Sequence, residues 1–78
     1  MNTKYEIVEQ IATNGLYRIR ALRDIPMHGV KVGDLGGLIA DRYSLYQEGD
    51  AWVGEHATVW NSARVYENAY VGGHAEIC

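Results

Sequence analysis

His56 and His74 stand eighteen residues apart, and a neutral imidazole can take a proton from an attacking hydroxyl or amine or donate a lone pair to a metal. Eighteen is three times six, the period of the residues around them, so the two rings are expected one above the other at a corner of a coil. A metal would want a third ligand, and the equivalent corner slots offer Glu55, Asn61, Ser62, Glu67 and Asn68. The plain reading is a pair of solvated corner residues, and no catalytic residue, metal ligand or cofactor is assigned. His28 lies in a Gly-rich stretch and reads as polar surface. Nearby GDLGG lacks the lysine and the strand-to-helix context of a phosphate cradle.

The other residues able to do chemistry are aromatic and acidic. In an eighteen-residue register Trp52 falls over Tyr70, Trp60 over Cys78, Tyr46 over Arg64 and Glu48 over Tyr66, so five aromatics are expected on the outside. Trp, Tyr and scattered charge is the composition of a protein-binding surface, with aromatic anchors and a polar rim. The partner-binding set expected on this basis is Trp52, Glu55, Trp60, Tyr66, Glu67, Tyr70, Glu48, Asp50 and Glu76. Residues 39–78 carry six acidic side chains against Arg42 and Arg64 alone, whereas residues 1–38 carry five basic and four acidic. The second half is therefore expected to repel nucleic acid and to suit a partner that itself binds phosphates. Arg18, Arg20 and Arg23 read as paired surface charge rather than as a phosphate stripe.

These side chains need an element that repeats every six residues. Alanine recurs at Ala51, Ala57, Ala63, Ala69 and Ala75, and two residues after each stands Val53, Val59, Val65, Val71 or Ile77. A-x-V places both residues on one side of a short strand, and the intervening slots hold turn formers such as Gly54, Ser62, Asn68, Gly72 and Gly73. Strand plus corner in six residues is the pattern of a parallel β-helix. It resembles the left-handed hexapeptide-repeat β-helix, in which three hexads make one triangular coil and coils stack about 4.8 Å apart. LYQEGD extends the pattern backwards, with Leu45 in the Ala slot and Gln47 in the Val slot, giving about two coils. The pattern runs to Cys78 without a capping segment, and a homodimer through that open coil is expected.

Residues 4–12 and 16–25 are rich in Ile, Val, Tyr and Leu and flank Asn14-Gly15, a strong hairpin signal. A two-residue turn sets Glu9 opposite Arg20 and Glu6 opposite Arg23, with Val8, Ala12, Tyr17, Ile19 and Ala21 facing the first coil. Residues 26–44 read as a tight loop. The expected fold is all-β: a short left-handed parallel β-helix over 39–78, capped by an N-terminal hairpin and Gly-rich loop over 1–38, in one compact domain.

RALRD (Arg20 to Asp24), VKVGDLGGLI (Val30 to Ile39), QEGDAWV (Gln47 to Val53) and the hexads resemble the start of the YdcK-like family of bacterial and prophage hexapeptide-repeat proteins. The resemblance spans about 60 of the 78 residues and implies the β-helical fold. Members are often labelled acetyltransferases, but the label rests on the repeat itself, and a short chain offers little wall for an active site.

A chain of 78 residues with a single cysteine builds one small core without an internal disulfide, and no apolar run reaches the length of a membrane span. A cytoplasmic location is expected, in the host cell if the gene is carried by a phage. The expected function is a non-catalytic protein-binding module, in its concrete form a phage-encoded inhibitor of a host nucleic-acid-binding defence complex, of anti-CRISPR or DNA-mimic type. It would bind the host protein, without direct nucleic-acid or membrane contact. The alternatives are a self-assembling structural element, or the remnant of an acyl-coenzyme A-dependent acyltransferase using His56 or His74.

Overall fold

A computed structural model describes residues 3–11, 15–60 and 62–77. The described chain is almost entirely strand and turn: β1 (Tyr5–Ile11), β2 (Leu16–Ala21), a single 3-10 turn at Pro26–His28, β3 (Leu35–Ile39), then the two-residue strands β4 (Trp52–Val53), β5 (Thr58–Val59), β6 (Tyr70–Val71) and β7 (Glu76–Ile77). The all-β expectation holds. The sheets are mixed rather than those of a uniform solenoid. One runs β1-β2-β3-β5-β7, antiparallel from β1 to β3 and parallel from β3 to β7, and the other is the parallel pair β4-β6.

The hexads act through their alternation. Ala51, Val53, Ala57, Val59, Val65 and Val71 are buried, whereas Ala63 is only partly buried and Ala69, Ala75 and Ile77 are exposed. Residues eighteen apart lie side by side, Trp52 against Tyr70, Val53 against Val71, Thr58 against Glu76 and Val59 against Ile77. Backbone amides run the ladder between these pairs, each reaching the carbonyl seventeen residues on: Asp50, Trp52, Gly54, Thr58 and Trp60 donate to the carbonyls of Glu67, Ala69, Val71, Ala75 and Ile77.

Before residue 50 the spacing is longer. Leu38 pairs with Thr58, Ile39 with Val59 and Leu45 with Val65, each twenty residues apart. Two extra residues are taken up between Tyr46 and Asp50. Leu45 therefore occupies the position of the inward Val rather than the Ala, correcting the hexad register expected for LYQEGD. The displaced Gln47 turns to the N-terminal strand instead. Its Oε1 accepts from the backbone N–H of Thr3, Lys4 and Tyr5 at 3.2, 2.9 and 3.3 Å, and its Nε2 donates to the Tyr5 carbonyl at 3.2 Å.

The hairpin forms, but not with a two-residue turn. Ile11 faces Leu16, Glu6 faces Arg20 and Glu9 faces Arg18, with an irregularity between Ile7 and Glu9. A longer loop and this bulge replace the expected pairings of Glu9 with Arg20 and Glu6 with Arg23. Arg20 Nε still donates to Glu6 at 2.9 Å. Ile19 and Ala21 are buried as expected, Tyr17 packs against the core and Val8 is exposed; Ala12 and Asn14 lie outside the described residues.

Part of the stretch read as a loop is β3, which joins the hairpin to the parallel strands and crosses the boundary between the two expected segments. Its glycines serve close approach. A Cβ on Gly37 would stand 2.3 Å from the Ala57 carbonyl oxygen and 2.4 Å from that of Gly54. Lys4, Tyr5, Ile19, Ile25, Ile39, Leu45 and Trp52 complete the buried interior.

Candidate functional site

Exposed aromatic rings come together in pairs on the surface. Tyr46 and Tyr66, brought together by the twenty-residue spacing, place their ring centroids 5.5 Å apart and are 43% and 48% exposed. The expected stacks of Tyr46 over Arg64 and Glu48 over Tyr66 are thereby corrected, since the two inserted residues shift each partner. Tyr70 is half exposed and stacks on His28 at 4.9 Å, while His28 Nε2 lies 3.1 Å from the Asn68 carbonyl oxygen. A shallow depression lined by Arg64, Tyr66, Glu67, Asn68 and Ala69 runs beside these rings.

Trp52 departs from the expected surface set. Its Cα pairs with that of Tyr70, yet its side chain is 2% exposed, covered where β3 crosses: a Cβ on Gly36 would meet Trp52 Cζ2 at 2.8 Å and Ile19 Cγ1 at 2.6 Å. The indole is a core residue, because the antiparallel layer lies over that strand and not over Tyr70. Trp60 is partly buried, and its Nε1 donates to Glu76 Oε1 at 3.0 Å, so those two members of the set bind each other. Its expected partner Cys78 lies outside the described residues.

The acids also differ from their expected arrangement. Asp50 meets Arg23 at 3.2 Å, and Arg23 Nη2 donates to the Gly49 carbonyl at 2.7 Å. Arg18 Nη1 reaches the Glu55 carbonyl at 2.8 Å. The second half thus receives basic side chains from the hairpin, so its acidity is less uniform than its sequence suggests. Glu48, Glu55 and Glu67 remain exposed. Glu67 has a φ of 58°, a left-handed conformation that costs a non-glycine residue about 1 kcal/mol or more, and it sits beside Gly49 at φ 77°.

Two features had no readable sequence signal. Tyr43 is 57% exposed, with the Arg42 guanidinium 5.3 Å and that of Arg64 5.9 Å from its ring centre, a cation–π cluster assembled across distant residues. Lys4 is fully buried, and its Nζ has no hydrogen-bond partner among the described residues. Burial, then the positive charge of Arg23, pushes the amine down to about 8 from 10.5, with Asp50 opposing. Tyr5 beside it is pushed up to about 12 by burial and by Asp41; its hydroxyl donates to the carbonyls of Leu45 and, at 3.1 Å, Arg42.

His56 and His74 are neighbours, with ring centroids 5.3 Å apart. Among the described residues no group of three or more His, Cys, Asp or Glu could hold a metal, and no helix is long and apolar enough to cross a membrane. No family model matches the chain, and neither the curated proteins nor the solved structures return a match. The resemblance to the YdcK-like family therefore rests on its three motifs and the hexads.

Proposed function

We propose that this chain is a non-catalytic protein-binding module whose contact surface is the tyrosine face of its parallel strands. The observation that carries the reading is the pairing of the Tyr46 and Tyr66 rings, each roughly half exposed, with the exposed Glu48 and Glu67 next to them in the sequence. Tyrosine supplies a large contact area with few rotatable bonds, and such rings surrounded by polar groups have the makeup of interaction hot spots. Within this reading the repeat is a short left-handed β-helix of the YdcK-like kind, supported by the eighteen-residue ladder. The concrete form is a phage-encoded, cytoplasmic inhibitor of a host nucleic-acid-binding complex, supported by the exposed carboxylates of Glu48, Glu55 and Glu67.

The test is affinity capture from a host lysate with wild type and with Tyr46→Ala/Tyr66→Ala. A protein retained by wild type and lost by the double variant is the expected result; identical partner sets, or none, overturn the proposal.

One observation favours self-association as a second reading. Among the described residues β7 is paired on one side only, and Ala69, Ala75 and Ile77 leave apolar surface on the last described turn of the chain. Light scattering distinguishes the two: a monomer at high concentration removes self-association and leaves the tyrosine face intact.

A further inference from the structure

The two exposed imidazoles sit on a support that is unusually well fixed for a surface. His56 belongs to the corner between β4 and β5, and His74 to the corner between β6 and β7. Each corner is closed by its own backbone bond, Ala57 N–H to the Gly54 carbonyl at 3.0 Å and Ala75 N–H to the Gly72 carbonyl at 3.2 Å. Rungs on either side hold the corners to each other: Gly54 N–H reaches the Val71 carbonyl at 2.7 Å, and Thr58 N–H the Ala75 carbonyl at 3.0 Å. The spacing of the two corners that carry the rings is thus set by the strand ladder.

That spacing matches chelation. Zinc binds imidazole nitrogen at about 2.0–2.1 Å, which puts the ion about 3.2 Å from each ring centre; centres 5.3 Å apart then subtend about 110° at the ion, the tetrahedral angle. The ring planes are inclined at 36°, and the Cβ–Cγ torsion of histidine is broad, so exposed rings can each turn one nitrogen toward a shared ion. Glu55 precedes His56 and brings negative charge to the same corner, while the Arg18 guanidinium is held by the Glu55 carbonyl. His28 is otherwise engaged, against Tyr70 and the Asn68 carbonyl.

We infer that His56 and His74 form a two-imidazole site for a divalent late transition ion, with zinc the best geometric match. With no third protein ligand among the described residues, the remaining positions fall to water or an incoming ligand, one protein ligand fewer than the three of an open zinc site, so the binding expected is weaker than at such a site. The inference rests on the histidine pair and does not depend on the binding-module reading.

Zinc titration by calorimetry in a non-coordinating buffer tests it, with wild type, His56→Gln, His74→Gln, the double variant and His28→Gln. Wild type and His28→Gln bind equally; each single variant weakens binding by about tenfold or more, and the double variant abolishes it. Because substitution could act through folding, the imidazole NMR resonances of wild type supply a second reading: zinc shifts those of His56 and His74 and leaves those of His28 in place. Absence of zinc binding by wild type, equal binding by the double variant, or unmoved His56 and His74 resonances overturns the inference.

Discussion

Lys4→Met should make this protein more stable at neutral pH. The Lys4 ammonium is fully buried, has no hydrogen-bond partner among the described residues and feels the Arg23 guanidinium, so the folded state holds its proton less tightly than the unfolded chain does. A cationic group whose folded value is depressed contributes its stability above the unfolded value of 10.5 and loses it as pH falls through about 8. The full span corresponds to about 3 kcal/mol, and the part between pH 7 and pH 9.5 to about 2 kcal/mol. Urea midpoints at those two pH values, at constant ionic strength, read it directly. Wild type should gain about 2 kcal/mol across the interval relative to Lys4→Met, in which every other titrating group cancels. At pH 7 the variant should exceed wild type, because methionine fills the site without carrying a charge into it. Tyr5 works in the opposite direction: a phenol raised to about 12 loses stability only as pH climbs beyond its ordinary value of 10, which leaves the interval nearly clear. Equal pH slopes in the two proteins, or a variant less stable at pH 7, would refute the account of a buried, unpartnered charge.

Two further substitutions test the joints of the fold. Gly37→Ala should cost about 2–4 kcal/mol by chemical denaturation, since its methyl group would meet the backbone oxygens of Ala57 and Gly54, which cannot swing aside as a side chain can. Gln47→Leu removes the acceptor shared by the amides of Thr3, Lys4 and Tyr5; a loss of about 1–3 kcal/mol is expected, with earlier proteolysis before β1, and an unchanged midpoint would show that those amides are satisfied elsewhere.

Much of the interior could be read from residue types. The Ala and Val series announces a six-residue period, and that period alone places Val53 beside Val71 and His56 beside His74, because the interaction is a ladder between identical, evenly spaced units. Ile19 and Ala21 follow from alternation along the hairpin, which is likewise a local rule. Turn chemistry was less informative. Asn14-Gly15 signals a hairpin but does not fix its length, and the bulge between Ile7 and Glu9 moved Glu6 onto Arg20.

What no local pattern carries is the packing of one layer on another. Trp52 and Tyr70 occupy equivalent positions in the repeat, yet one is buried and the other half exposed, because β2 and β3 cover only the first. Gly36 and Gly37 look like turn residues by composition, but it is the nearness of Trp52 and of the 54–57 corner that requires them. The same holds for Gln47, whose side chain finds its partners more than forty residues away, and for Lys4, whose charge is enclosed by elements distant along the chain. Sequence by itself determined the strand type, the repeat period and the inward faces, since these depend on neighbours a few residues apart. Tertiary structure alone decided which outward side chains stay outward, since that depends on where a second layer comes to rest.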